Sequence, residues 1–174
     1  LLPDEDTERE MYYETKSMLH KQGFERYEIS NYAKPGYECR HNIGYWTGIE
    51  YLGLGLGASS YIQGFRFHNE SDLSLYDKIQ MTGTDADEKL HQEITKLSDK
   101  EKMEEFMFLG LRMIKGVSGS EFFQRFGQNM WNVYGNVLNK LKDEGLIIVD
   151  MPDVRLSDYG IDVSNYVLSE FLLD

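Results

Sequence analysis

His41 opens the stretch of this chain that is richest in chemistry. A neutral imidazole is a common metal ligand, and in His41-Asn42-Ile43-Gly44-Tyr45-Trp46 two aromatic rings follow it four and five residues on. Aromatic rings can stack on the face of a flat ligand, so the trio suits a planar molecule that carries a metal. The same residues also have a plainer use: a His-Asn pair can stabilise a turn, and Tyr45 and Trp46 can fill a core. Both uses stay open at this point. Cys39 is the single cysteine. It could ligate a metal as thiolate, although a buried inert thiol is the commoner fate. One cysteine builds no disulfide framework within the chain and cannot hold an iron–sulfur cluster, which several thiolates usually bind. His20, His68 and His91 have no partner at metal-ligand spacing. No nucleophile and base stand together at a readable distance, so no catalytic residue is assigned.

A second run, Tyr51-Leu52-Gly53-Leu54-Gly55-Leu56-Gly57-Ala58-Ser59-Ser60, places glycine at alternate positions. In a strand that spacing strips side chains from one face and lets a backbone or a ligand approach closely. It is not the GxGxxG spacing of a dinucleotide site.

The elements that must position these residues are readable from periodicity. Met11, Thr15, Met18 and Leu19 fall at helical spacing within residues 7–22, with Asp4 and Asp6 at the start and Gly23 at the stop. Phe24 to Ile29 reads as a strand, and helix, glycine, strand is the rhythm of an α/β unit. Ser30 to Glu50 is a loop that holds His41. After Asn69 the chain reads mainly as helices. Ser71 can cap a short one bearing Leu75, Tyr76 and Ile79. Ser98 and Glu101 form a capping-box signature for a helix with Met103, Phe106, Met107, Gly110 and Met113 on its apolar side and Gly116 at its end. At that spacing the methionines belong to a core rather than to a ligand surface. A short segment spans Glu121 to Phe126. Met130, Tyr134, Val137, Leu138 and Leu141 make the next apolar face, stopped by Gly145. Residues 146–149 and 154–156 flank Met151-Pro152-Asp153 as a hairpin. Ser157 then caps a last helix with Ile161, Leu168, Phe171 and Leu172 inward. Helix, hairpin and helix resemble a winged-helix module, and a protein-interaction module is the alternative reading of this end.

With 41% hydrophobic and 13% aromatic residues among 174, the chain has the material for a folded core. Eighteen basic against thirty acidic residues give a formal charge of −12, which disfavours nucleic acid as a partner. From Gln128 to Leu156 the hairpin region itself is net −1, where a DNA reader should be basic. Residues 21–66 instead carry a net +1 through Lys21, Arg26, Lys34, Arg40 and Arg66, so an anionic ligand would prefer that region. No apolar run approaches the roughly 20 residues of a membrane span, no signal pattern is present at the N-terminus, and a cytoplasmic location is expected. The start at Leu1-Leu2-Pro3-Asp4, without methionine, leads to the expectation of a segment cut from a longer protein.

Taken in order, Tyr27-Glu28-Ile29-Ser30-Asn31-Tyr32-Ala33-Lys34-Pro35-Gly36, Cys39-Arg40-His41-Asn42-Ile43-Gly44-Tyr45-Trp46 and the Tyr51 to Ser60 glycine run resemble the end of the radical S-adenosylmethionine (radical SAM) domain of the HemN family. That family includes oxygen-independent coproporphyrinogen III oxidases and HemW-type heme chaperones. The resemblance implies an α+β chain: residues 1–68 as the last α/β units of a partial radical SAM barrel, and 69–174 as a HemN-type C-terminal helical domain with a winged-helix-like end. It implies a parent protein with a 4Fe-4S cluster and S-adenosylmethionine, and heme as a further ligand. The three-cysteine cluster motif has no match here, so the isolated chain is expected to bind no cluster and generate no radical. HNxxYW points to heme binding and delivery, with a heme-accepting protein as a partner, rather than to oxidative decarboxylation. On this resemblance His41 is the candidate axial ligand of heme iron, Tyr45 and Trp46 the rings against the porphyrin, and Gly57 and Ser59 contacts to S-adenosylmethionine. Tight packing within the barrel is the plainer use of that glycine run.

Overall fold

The computed structural model describes residues 2–79 and 89–173. The described chain forms two compact units, Leu1–Thr47 with Glu104–Asp174, and Gly48–Met103. The chain passes from one to the other after Thr47 and again between Met103 and Glu104, the second time inside a helix.

In the first unit, α1 (Glu5–Lys21) starts where the Asp4 carboxylate accepts the Thr7 N–H at 2.9 Å. This is an N-cap that satisfies one of the helix's unpaired donors. Gly23 (φ +79°) then turns the chain into β1 (Glu25–Arg26), which pairs antiparallel with β2 (Tyr32–Ala33). The strand expected over residues 24–29 is thus only two residues long and closes a small hairpin, because Tyr27 N–H already donates to Asn31 C=O and bends the chain back. The inward face of α1 also differs from the expected one. Met11 and Met18 are exposed, whereas Tyr12, Lys16 and Leu19 are half-buried. Polar partners rotate the helix: Tyr12 Oη donates to Ile29 C=O at 2.8 Å, and Lys16 pairs with Asp158 at 3.0 Å.

Within the second unit, β3 (Ser59–Ile62), β4 (Phe65–Asn69) and β5 (His91–Lys96) form an antiparallel sheet in that order, with a register shift between Arg66 and His68. The two-residue turn Gln63-Gly64 has φ of +51° and +77°, the left-handed pair that a tight hairpin following the strand twist requires. α3 (Leu73–Tyr76) is capped by Asp72 rather than by Ser71, since the carboxylate accepts from both Ser74 and Leu75 N–H.

α4 (Asp99–Gly110) opens on the expected capping box. Ser98 N–H and Oγ each donate to Glu101 Oε2 at 2.7 Å, and Glu101 N–H returns to Ser98 Oγ at 3.2 Å. The helix ends earlier than its methionine spacing suggests. Met103 and Met107 are buried within it, but Met113 is buried beyond it, opposite Glu28 in an isolated antiparallel bridge. Gly116 is not its terminus. With φ +73°, it lies where a Cβ would come within 2.0 Å of Val154 C=O, and Val117 pairs with Val154 through N–H···O bonds of 2.8 and 3.0 Å.

α5 (Gly119–Phe126) and α6 (Met130–Asp143) follow, then β6 (Ile147–Asp150) and β7 (Asp153–Leu156) as an antiparallel hairpin. The last helix is two short pieces, α7 (Asp158–Asp162) capped by Ser157, and α8 (Ser164–Ser169). Phe171 is fully buried but Leu172, expected inward, is exposed because the break at Val163 changes the helical phase. The core of this unit is aromatic. Phe122 lies 5.4 Å from Phe106, 4.8 Å from Phe126 and 6.1 Å from Tyr134, and Tyr134 lies 5.5 Å from Phe171. These separations suit edge-on and tilted ring packing. No closed barrel is formed by the described residues, and none of their helices is long and apolar enough to cross a membrane.

Candidate functional site

The segment expected to be a loop contains a helix, α2 (Arg40–Trp46), of two turns. Cys39 stands at its N-cap, where its C=O accepts the Ile43 N–H at 3.0 Å but its side chain makes no capping bond, and it is exposed rather than buried. At the far end Thr47 Oγ1 donates back to Ile43 C=O at 2.8 Å, Gly48 leaves in the left-handed region (φ +68°), and Arg125 Nη2 donates to Thr47 C=O at 3.1 Å. Helical spacing puts residues four apart on one face. His41 and Tyr45 accordingly meet edge to face, ring centroids 4.7 Å apart at 81°. The His41 imidazole stays exposed.

Trp46 is held differently. The Arg112 guanidinium lies 4.4 Å from its ring centroid and, on its other side, 4.0 Å from Glu28 Oε2. Glu28 is completely buried. Its Oε1 accepts from Ser30 N–H at 3.0 Å and from the Asn31 amide, while Oε2 has no hydrogen-bond donor among the described residues. A buried carboxylate without a cation nearby is strongly disfavoured. Arg112 is therefore required where it stands. Main-chain bonds fix the approach: Ile29 N–H donates to Arg112 C=O at 3.0 Å and Ile114 N–H to Tyr27 C=O at 3.1 Å. A chain of contacts thus runs from the Tyr27-Glu28-Ile29-Ser30-Asn31 motif through Arg112 to the helix that carries His41.

In the other unit the glycine run is not a strand. Tyr51 pairs with Tyr61 and Ser59-Ser60 open β3, but the glycines between them lie in a folded loop in which Gly55 and Gly57 have φ of +98° and +64°. The close approach expected of it is real, but the approaching group is the loop's own backbone. A Cβ on Gly53 would lie 2.3 Å from Ser59 C=O. Two buried polar residues staple the loop. Ser60 Oγ accepts from Gly53 N–H at 3.0 Å, and Asn69 Nδ2 donates to Gly55 C=O at 2.8 Å and to Gly53 C=O at 3.3 Å. Ser59 and Gly57 are exposed. His41, Tyr45 and Trp46 therefore belong to one unit, and Gly57 and Ser59 to the other.

Residues 97–163 match the family of the HemN C-terminal domain. The heme chaperone HemW of Lactococcus lactis is 37% identical over 99% of this chain and 44% of its own length. HemW of Bacillus subtilis is 36% identical over 98% of the chain and 44% of its own length. The chain carries a HemN C-terminal domain and is of HemW/HemN type. It spans less than half the length of these HemW relatives. The solved structure of coproporphyrinogen III oxidase (HemN) from Escherichia coli, a radical SAM enzyme, superposes with a TM-score of 0.74 at 16% identity. It covers 98% of this chain and 42% of that one, a likeness of fold.

On the HemW/HemN-type chain, the matched HemN C-terminal domain runs from just before α4 to the end of α7. The residues that sequence reasoning did not single out are Glu28, Arg112, Ser60 and Asn69. Glu28 and Asn31 were visible only as letters of a motif, and Arg112 only as one more residue in a methionine-rich segment. Their pairing crosses more than eighty positions, so no local spacing could announce it. No group of three or more His, Cys, Asp or Glu that could hold a metal ion occurs among the described residues.

Proposed function

We propose that this chain is the C-terminal part of a radical SAM protein of porphyrin and heme metabolism that binds heme and delivers it, rather than one that decarboxylates coproporphyrinogen III. The observation that carries the reading is the exposed His41 imidazole, seated edge-on to Tyr45 on a helix whose Trp46 is anchored from behind by Arg112 and Glu28. HemW relatives named as heme chaperones support it. Heme takes a single axial ligand from a side such as this, so one exposed imidazole fits where a multidentate metal site would not. In this reading His41 would supply the ligating nitrogen, with Tyr45 and Trp46 as the aromatic rings near the porphyrin.

The 4Fe-4S cluster and S-adenosylmethionine belong, in this reading, to the radical SAM portion of the parent, for which Cys39 alone is no ligand set. When bound, they would supply radical chemistry. Gly57 and Ser59, exposed on the stapled loop, are the proposed S-adenosylmethionine contacts, their backbone held by Ser60 and Asn69. Residues 1–68 are taken as the end of the barrel and 69–174 as the HemN-type C-terminal domain. A heme-accepting protein is the expected partner and the cytoplasm the expected location.

The test is hemin titration of the protein carrying its radical SAM portion, followed by the Soret band. His41→Ala should weaken or shift the band, whereas His20→Ala and His68→Ala should leave it alone. An unchanged spectrum and affinity in His41→Ala protein with wild-type thermal unfolding would retire the ligand assignment.

A further inference from the structure

Beside β1 the first unit holds a cavity of about 250 Å³, none of whose lining residues belongs to α2. Its polar wall contains Arg26 and Tyr32. Arg26 sits 4.6 Å from the Tyr12 ring centroid and 5.9 Å from that of Tyr32, and its Nε and Nη2 both donate to one acceptor, Ile29 C=O. No carboxylate lies within ion-pairing distance of it among the described residues. Burial is the largest influence on its pKa and pushes it down, against the upward pull of Tyr32, Asp158, Asp162 and Glu28. The Tyr32 hydroxyl is buried and has no hydrogen-bond partner among the described residues. The acidic groups at the cavity are already engaged: Asp158 with Lys16 at 3.0 Å, and Glu25 with His20 at 3.0 Å.

A half-buried guanidinium facing a cavity is the complement of an oxyanion. Guanidinium binds carboxylates and phosphates through charge-assisted, often bidentate bonds. The rest of the lining decides between them. Ile114, Ile148, Leu156 and Ile161 make an apolar wall, which holds a hydrocarbon body and gives nothing to inorganic phosphate. Of the lysine and arginines that line it, Lys16 is paired with Asp158 and Arg155 with Asp150 at 3.7 Å, which leaves Arg26 without a carboxylate partner among the described residues and suits a single carboxylate.

We propose that this cavity binds an organic monocarboxylate with an apolar body, its carboxylate on Arg26 and its body on the isoleucine wall. The site is independent of any role of His41.

The experiment is titration of the 174-residue chain with hexanoate, n-hexanol and inorganic phosphate, followed by calorimetry and by amide chemical shifts. Hexanoate should bind saturably, with shifts at Arg26, Tyr32 and Ile148, and the other two should not. Arg26→Gln, which keeps a donor for Ile29 C=O, should weaken hexanoate about tenfold or more, the usual loss of a bond to a charged group. Asp158→Asn should strengthen it, since it removes a competing negative charge, a gain that damaged folding would not mimic. Should Arg26→Gln fail to fold, Arg26→Lys serves in its place with a smaller loss, since it keeps the charge but not the planar fork that binds a carboxylate. Absence of saturable hexanoate binding, equal binding of hexanol or phosphate, or indifference to these substitutions in folded protein overturns the proposal.

Discussion

α6 and α2 lie in the same compact unit and are held by opposite means. α6 buries Met130, Tyr134, Leu138 and Leu141 along one face, whereas α2 has no buried residue. The longer helix is fixed by apolar area, which is cumulative and tolerant of small shifts. The shorter one leaves His41 exposed and is tethered at a few points: Trp46 against Arg112, and the Thr47 carbonyl against Arg125. A helix that presents a reactive side chain cannot also bury its whole surface. Directional tethers replace area there, and each one matters more.

The largest effect should come from the apolar helix. Leu138 is fully buried, and Leu138→Ala should destabilise the protein by about 2–5 kcal/mol in urea unfolding, the range for core truncations. A loss below about 0.5 kcal/mol, a surface value, would break the comparison from that side.

Next in size is the tether. Arg112→Met leaves the Glu28 carboxylate buried without its cation. Arg112 is 26% exposed and 4.0 Å from Glu28, so the cost should fall short of a fully buried pair, at about 2 kcal/mol. Hydrogen exchange should accelerate in α2 while α6 keeps its protection. Equal acceleration in both helices would show that Arg112 serves the unit as a whole and not α2.

Tyr134 sharpens the contrast from within α6. Its hydroxyl is buried with no hydrogen-bond partner among the described residues, and burial pushes its pKa well up. Tyr134→Phe should therefore be neutral or stabilise by up to about 1 kcal/mol. A destabilisation of that size would reveal a polar tether in a helix described as apolar.

The smallest effect concerns a local device. The Ser98 hydroxyl and N–H hold the Glu101 carboxyl below its ordinary 4.5. A carboxyl with a lowered folded pKa contributes stability that is present above the unfolded value and is lost as pH falls through the folded one. Glu101→Gln should lower stability slightly at neutral pH, and the difference from the wild type should close as pH falls below 4.5 through the folded value. An NMR titration showing Glu101 at its ordinary value would refute the capping box in solution.

Legibility in the sequence followed the range of the interaction. Asp4 at the start of α1, Ser98 with Glu101, the Met130 to Leu141 stripe, the hairpin about Met151-Pro152 and the Ser157 cap all act within a few residues, and the structure contains each of them. The glycine run announced a close approach but not that its partner would be its own loop, because only the turn at Gly55 and Gly57 decides which backbone arrives. The motif around Glu28 and the HNxxYW run stood in the sequence as separate segments, with no sign that Arg112 joins them. The inward face of α1, the early end of α4 and the exposure of Leu172 were misread where polar pairing or a helix break overrode apolar periodicity.

What the sequence by itself determined was therefore the set of elements that local hydrogen bonding and periodic burial specify, together with the candidate ligand His41. Tertiary structure alone decided that Glu28, Arg112 and Trp46 form one tether, and that Arg26 and Tyr32 share one cavity. A buried charge must find its counter-charge wherever the fold brings one within reach, and that partner's position along the chain is under no local constraint.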